Sequence, residues 1–371
     1  MWSAVLALVG WSAGWWLFGS PRLLGVRPGD VHPSTVYEVP PISIVIPARN
    51  ESASLPNLLG DLSRARPIGS EVIVVDDCST DDTRAIALGF DGVSVFDAGP
   101  TPDGWLGKSW ACHIGAHAAR SEVLIFLDAD VRVEPGAIEA VIRELQSRGG
   151  LVSVEPYHEV EQHWEDASAL FATVSVMGIG AGRSGEPMGA FGPVMATTRA
   201  DYDLVGGHRA VRAEIVEDIA LARRYSAADR SVSVMVGGPE LRFRMYPDGP
   251  RSMVEGWTKN FATGAGSTPK PRLAAAVLWL AAMGTTISML AGSMGQLGQA
   301  AGALTLCGLF AWQVGSMFSR LGNFSRLAGV LYPLWLAVFF AVFFRSLWAT
   351  RVRRAVQWRG REVPLTLGSN A

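Results

Sequence analysis

Two acidic clusters each follow directly on an apolar run: Ile73-Val74-Val75 leads into Asp76-Asp77, and Leu124-Ile125-Phe126-Leu127 leads into Asp128-Ala129-Asp130. A buried parallel strand delivers its last residues to the carboxyl edge of its sheet, where the ligands of open α/β sheets bind. Carboxylates collected there can hold a divalent cation and the nucleotide diphosphate it neutralises. The short Asp-x-Asp geometry suits Mg2+ or Mn2+, hard ions that take one or two carboxylates and complete their shells with phosphate oxygens. By itself such a pair is equally ordinary turn and cap chemistry, the role expected of Asp81-Asp82-Thr83 ahead of a helix. The chemistry these spacings point to is a sugar-nucleotide site.

Other residues could complete it. The first apolar run ends in Pro47-Ala48-Arg49-Asn50-Glu51, a loop that lays backbone across the sheet edge before a helix N-terminus, which attracts anionic or hydrogen-bonding groups. Only Lys108, Lys259 and Lys270 among the 32 basic residues are lysine. Lys108 opens a helix, where the dipole disfavours a cation unless an anion is present, so phosphate contact is preferred for it over a solvated role. Glu217-Asp218 heads an amphipathic helix, an acidic pair that could act chemically or simply complement the dipole. His113, His117, His158, His163 and His208 have no spacing that makes a zinc site.

These groups need a scaffold to bring them together. From residue 41 to about 246 short apolar runs alternate with helical stretches, the pattern of an α/β domain with a mostly parallel central sheet. Strands are expected over 42–46, 71–75, 92–96, 122–127, 151–155 and 193–197, with helices through Leu55, Leu58, Leu59 and Leu62 and after Asp82, Lys108 and Pro135.

The 371-residue chain is 49% hydrophobic and only 18% charged, apolar for a soluble enzyme, which points to membrane segments. Its net charge of -2 argues against a nucleic-acid partner. Cys78, Cys112 and Cys307 form no CxxC pair and suit a reducing compartment. Residues 2–19 are uncharged and are followed by Arg22 and Arg27, the charge order of an uncleaved anchor with its N-terminus outside; a cleavable leader ending near Ser20 would carry its charge in front. Beyond Pro269 and Pro271, the stretches 273–293, 299–318 and 327–349 are long enough to span a bilayer. The tail carries Arg351, Arg353, Arg354, Arg359 and Arg361, a cytoplasmic signal. An N-out anchor and three further spans would put that tail outside, so one C-terminal segment is expected to be re-entrant, kinked near Pro333, or to lie in the interface. Residues 167–181 read either as an interfacial helix or as core. The expected division is an anchor over 1–20, a catalytic domain over 38–268, membrane helices over 273–349 and a basic tail over 350–371, multi-pass with the catalytic domain facing the cytoplasm.

The ordered motifs Pro47-Ala48-Arg49-Asn50-Glu51, Val75-Asp76-Asp77-Cys78-Ser79 and Asp128-Ala129-Asp130 together resemble the inverting family 2 glycosyltransferases of GT-A fold over roughly residues 41–265. Gly104-Trp105-Leu106-Gly107-Lys108-Ser109-Trp110-Ala111, Ala190-Phe191-Gly192-Pro193-Val194, Phe243-Arg244-Met245-Tyr246, Glu255-Gly256-Trp257-Thr258-Lys259-Asn260 and Trp358-Arg359-Gly360-Arg361 narrow the resemblance to the membrane-bound 4,4'-diaponeurosporenoate glycosyltransferases. The resemblance implies transfer of glucose from UDP-glucose to the carboxyl group of a carotenoid acid, giving a glycosyl ester. Another membrane lipid, such as a hopanoid, polyprenyl phosphate or glycerolipid, is the alternative acceptor.

By the same resemblance, Pro47, Ala48, Glu51, Asp76 and Asp77 hold the uracil and ribose, with Asp77 accepting the uracil N–H. Asp130 is the expected direct Mg2+ or Mn2+ ligand, and Asp128 acts through water or by orienting backbone. Glu217 or Asp218 is implied as general base. A hydroxyl acceptor would make that base indispensable, whereas a carboxylic acid, with a free pKa of about 4–5, needs no proton removed. Trp257 with Lys259 is implied in closing over the diphosphate, or else anchors its helix at headgroup level. An Asp-x-Asp nucleotidyltransferase fits less well, since no Gly-rich triphosphate loop follows the first strand; a silent carotenoid-binding protein would leave the carboxylates without a task.

Overall fold

The computed structural model describes residues 2–27, 40–183, 187–264, 268–293, 296–348, 355–358 and 361–364. The chain divides into two compact units, one of Met1–Pro21, His158–Gly185 and Met245–Ala371, the other of Arg22–Tyr157 and Glu186–Arg244. Residues 158–183 and 245–264, inside the expected catalytic domain, therefore group with the flanking helices.

In the second unit the expected strands form. They are β1 (Ile42–Ala48), β2 (Glu71–Asp76), β3 (Val93–Asp97), β4 (Val123–Leu127), β6 (Leu151–Glu155) and β8 (Val194–Thr198). Four more were not anticipated: a short β5 (Val131–Val133), the two-residue β7 (Tyr157–His158) where the chain passes to the first unit, β9 (Val232–Val236) and β10 (Leu241–Phe243). Seven build one sheet in the order β3-β2-β1-β4-β8-β6-β9, in which β8 alone runs against its neighbours β4 and β6. Alternation along β1 sends Ile44 and Ile46 to one face and Val45 to the other. The first face is covered by the helices Leu55–Ala65 and Ala137–Arg148 through Leu58, Leu62, Val141 and Leu145. The second is covered by the helices Gly107–Ala118 and Glu217–Ala227 through Ala111, Cys112, Leu221 and Tyr225. With both faces covered, β4 and β6 are buried along their whole length, which is why β4 reads as an unbroken apolar run.

This topology decides where the chemistry gathers. The order 3-2-1-4 reverses direction between β1 and β4, so a crevice opens outside their carboxyl ends. Ala48, Asp76 and Asp97 stand in register across that edge. Because β8 is antiparallel to β4, it brings its beginning to the same edge, and Asp128 N–H donates to Pro193 O at 2.9 Å.

The first unit is helical. The first helix, Trp2–Phe18, packs on Lys270–Gly292 and Leu297–Leu321. At its centre Trp279 Nε1 donates to Gln313 Oε1 at 2.9 Å and Gln313 Nε2 donates to Trp11 O at 2.7 Å, so this fully buried amide has partners at both ends. Gly14 faces that junction so closely that an added methyl would lie 2.5 Å from Trp279 Nε1 and 2.8 Å from Gln313 Oε1. Ser168–Ile179, left open between interface and core, is a core helix: Phe171 stacks on Trp257 at 5.2 Å and meets Phe339 at 5.1 Å. Among the described residues two helices, Lys270–Gly292 and Leu297–Leu321, are long and apolar enough to cross a membrane. Trp2–Phe18 and Tyr332–Trp348 have 17 residues each, about 26 Å of helix against a hydrocarbon core of about 30 Å. Residues 351–354 and 359 of the basic tail lie outside the described residues.

Candidate active site

The loops after β1 and β2 are tied to each other. Asp77 N–H donates to Ala48 O at 2.8 Å, Asn50 N–H to Ser79 Oγ at 3.0 Å, and Thr80 N–H to Asn50 Oδ1 at 2.8 Å. Glu51 turns inward on this junction, its N–H donating to Thr83 Oγ1 at 2.7 Å and its carboxylate accepting from Ser54 Oγ at 2.6 Å. Asp81, and not the helix-capping Asp82, carries the expected turn chemistry, accepting from Thr83 N–H at 3.0 Å and Ser52 N–H at 3.1 Å. Burial works against its charge, but those bonds prevail and bring its pKa down to about 2. Pro47 and Ala48 thus contribute rigid backbone, while Asp76 and Asp77 supply carboxylates.

Asp76 is 4% exposed and its Oδ1 has no hydrogen-bond partner among the described residues. A buried acceptor left so costs about 1–3 kcal/mol, which a ligand N–H or O–H would offset. Asp77 lies within 3.4 Å of Arg49 Nη1. Gly107 abuts the Asp77 carboxylate, and any side chain there would collide with Oδ2. The helix Gly107–Ala118 can therefore aim its N-terminal turn at the edge beside Asp77.

One residue further on, Lys108 Nζ lies 2.7 Å from Asp128 Oδ1 and 3.3 Å from Glu217 Oε1. Burial opposes its charge, but Asp128 and Glu217 more than offset it and hold its pKa well above the usual lysine value. Asp218 has the opposite balance. Burial first, then the adjacent Glu217 charge, push its carboxyl up to about 7 against the pull of Lys108. A methyl on Gly192 would sit 3.1 Å from Lys108 Nζ and 3.3 Å from Asp218 Oδ2, so the Phe191-Gly192-Pro193 segment borders both groups. That segment is pinned by Ser153 of β6, whose Oγ donates to Phe191 O at 2.9 Å and accepts from Phe191 N–H at 2.7 Å. Ser153 escaped the sequence reading; its only signal is a lone hydroxyl inside the apolar run 151–154.

Asp130 follows in the turn from β4 to β5, closed by Val131 N–H donating to Asp128 O at 3.2 Å. Among the described residues no three His, Cys, Asp or Glu side chains converge on a point. Asp128 and Asp130, the expected donors, stand just after β4 and in the turn that follows it, a pair that would suit an ion drawing its remaining ligands from phosphate. Asp128 is engaged by the Lys108 ammonium, so an ion would share its carboxylate once Lys108 turned to a bound phosphate.

The structure brings Asp76, Asp77, Lys108, Asp128, Glu217 and Asp218 onto one unit. Trp257 and Lys259 belong to the other, on the helix Pro250–Gly264. There Trp257 is 2% exposed and donates from Nε1 to Ser168 Oγ at 3.1 Å.

A sequence model described as Glycosyl transferase family 2 matches residues 43–220. A 4,4'-diaponeurosporenoate glycosyltransferase of Staphylococcus aureus strain MRSA252 is 36% identical over 336 residues, covering 88% of each chain. The protein of the same name from strain USA300 is 35% identical over 340 residues, again with 88% of each covered. Among solved structures, a mannosyltransferase from Pyrobaculum calidifontis in complex with GDP-Man and Mn2+ superposes with a TM-score of 0.51 at 20% identity, covering 90% of this chain and 95% of that one. That last likeness is one of fold, and it bears out the GT-A class.

Proposed function

The chain belongs to glycosyl transferase family 2 and is a glycosyltransferase; from that premise we propose that it transfers glucose from UDP-glucose to the carboxyl group of a carotenoid acid at a membrane, by inversion. The observation that carries the donor half is the cluster of Lys108, Asp128, Glu217 and Asp218 at the crevice where Asp76 holds an unsatisfied acceptor. The names of the relatives support the acceptor half.

In this reading Asp76 and Asp77 receive the uridine against the backbone of Pro47 and Ala48, with Glu51 bracing the loop. Mg2+ or Mn2+ would be held by Asp130 directly and by Asp128 through water or backbone, and would supply neutralisation of the diphosphate charge. Lys108 turns its ammonium from Asp128 to the departing phosphate. The acceptor oxygen attacks the anomeric carbon from the face opposite the diphosphate; the bond to the diphosphate oxygen breaks and its electron pair leaves with UDP. A hydroxyl acceptor gives its proton to Asp218 or Glu217. An ionised carboxylate acceptor has no proton to give, and a protonated Asp218 would instead donate a hydrogen bond to it.

Two helices able to cross a bilayer return the chain to the side it left. That parity keeps the arginine-rich tail in the cytoplasm with the soluble donor, and makes Trp2–Phe18 and Tyr332–Trp348 the shorter partners. An apolar acceptor dissolved in the bilayer would present its polar end at the headgroup plane.

Membranes carrying the protein, given labelled UDP-glucose with carotenoid acids, hopanoids and lipid phosphates, test the assignment. An alkali-labile product from the carotenoid acid is expected. An alkali-stable glycoside would redirect it to another membrane lipid, and retention of the donor's α configuration would contradict inversion. Asp130→Asn should abolish transfer; full activity in that variant would remove the metal-site reading.

A further inference from the structure

The stretch after the helix Leu297–Leu321 is fixed at three levels of the first unit. At its start Asn323 N–H donates to His158 O at 3.1 Å, and the Asn323 side-chain amide donates to Val160 O at 3.2 Å and accepts from Val160 N–H at 2.6 Å. Ser325 N–H then donates to Asp166 Oδ1 at 2.9 Å. Residues 158–166 carry Glu159, Glu161, Glu165 and Asp166, a segment that belongs outside any bilayer. Further on the chain stands well inside. Gly329 lies against the backbone of Leu297–Leu321, where an added methyl would come within 2.7 Å of Ala311 O and 2.8 Å of Gly315 Cα. The Tyr332 ring is 6.4 Å from Phe310, and its hydroxyl is 2.8 Å from Thr286 Oγ1. At about 1.5 Å per residue, Gly315 is about 9 Å and Phe310 about 16 Å of helix short of Leu321. The chain has by then climbed about half-way up a helix long enough to cross.

Then it comes back. Pro333, expected as a kink, stands in the first turn of Tyr332–Trp348, where no intrahelical N–H is lost, and so starts the helix. Along that helix Phe339 and Phe343 lie 5.3 Å and 6.3 Å from Phe261, and Ser346 Oγ donates to Thr258 O at 2.8 Å. Those partners stand on Pro250–Gly264, which carries Arg251, Glu255 and Lys259 and precedes the first helix able to cross. Two crossing helices in succession begin and end on one side. Entry and return of residues 322–348 therefore share that side.

We infer that residues 322–348 form a re-entrant hairpin: its turn, residues 326–331, is covered by the acyl chains of the bilayer, and its returning helix seats Pro250–Gly264, with Trp257 and Lys259, at the cytoplasmic face. The hairpin rests on the reading of Lys270–Gly292 and Leu297–Leu321 as membrane spans. Its turn is built for such cover, since irregular backbone at membrane depth must satisfy its own polar groups. Ala328 N–H donates to Ser325 O and Leu331 N–H to Leu327 O, each at 2.9 Å, and Trp335 Nε1 donates to Ala328 O at 3.1 Å. Leu327, Val330, Leu331 and Leu334 meanwhile face outward, 43% to 66% exposed. At the depth set by Gly315 and Phe310, hydrocarbon is what meets them. The exposed Arg326 follows the anchored Ser325, so its guanidinium reaches back to the headgroups.

Cysteine variants of the full-length protein, labelled with a membrane-impermeant maleimide in intact cells and in inverted membrane vesicles and read by peptide mass spectrometry, trace the path. The native Cys78, exposed beside Asp77, marks the catalytic side. Asn323→Cys, Arg345→Cys and, on the helix Pro250–Gly264, Arg251→Cys should label from that side alone, and Gln296→Cys, between the two spans, from the other. Ser319→Cys replaces Asn323→Cys if loss of the Val160 bonds prevents folding. Any of these end positions labelled from the side opposite Cys78, with Gln296→Cys as expected, would overturn the hairpin and leave the spans in place. Gln296→Cys labelled from the Cys78 side would remove the spans and the hairpin with them. A nitroxide on Val330→Cys, with the Cys78→Ser parent as blank, reads the cover. Collision with oxygen but not with a water-soluble nickel chelate is expected. Nickel collisions would place the turn in water, and collision with neither would mean a protein partner; either result overturns lipid cover.

Discussion

Asp218 is placed so that its protonation state reports on the acceptor. Its carboxyl is pushed up to about 7 by burial and by Glu217. If the acceptor is a hydroxyl, kcat/KM should rise with pH through that value, and Asp218→Asn should lower turnover about a hundredfold or more. If the acceptor is a carboxylate, the protonated form is the useful one, so activity should fall over the same interval and Asp218→Asn should retain most of it. A pH–rate profile of native and variant protein separates the two. Stability carries the same signature: an acid whose folded pKa exceeds its unfolded value of 3.8 favours the fold most below that value and loses the contribution as pH climbs through about 7. Chemical denaturation across pH 4–8 should show that decline, and Asp218→Asn should flatten it.

Among the elements, β8 shows what the sequence could and could not convey. The parallel strands β1, β2 and β4 announce their functional ends, because Ala48, Asp76-Asp77 and Asp128 stand directly after apolar runs. Residues 193–197 were legible as a strand, but direction is not a property of composition; only the pairing reveals that Gly192 and Pro193, ahead of the strand, reach the site. Ser153 stayed hidden for a related reason, since its task depends on a partner 38 residues away. The pairing of Lys108 with both Asp128 and Glu217 needs three separate segments in register, whereas the helix start that placed Lys108 near phosphate is local. Ser153→Ala leaves the buried Phe191 N–H unmatched and should lower stability by about 1–3 kcal/mol, read by urea denaturation, with KM for the donor raised as the Gly192 segment loosens.

At the scale of the molecule, membrane-length apolar runs were legible, whereas how the ends of the chain pack together was not. Nothing in residues 2–19 reveals that Trp11 binds Gln313 or that Gly14 makes room for Trp279. Gly14→Leu should therefore reduce the yield of monodisperse protein extracted from membranes, measured by size-exclusion chromatography, while an equally apolar change at the exposed Val5 should not. The bond from Gln313 to Trp11 joins residues 302 apart in the chain. At ribosomal speeds of about 5–20 residues per second, the opening helix would be made some 15–60 s before its partner exists. Through that interval its tryptophans need a temporary companion, whether lipid or insertion machinery, so assembly of the helical unit is timed by the last third of translation.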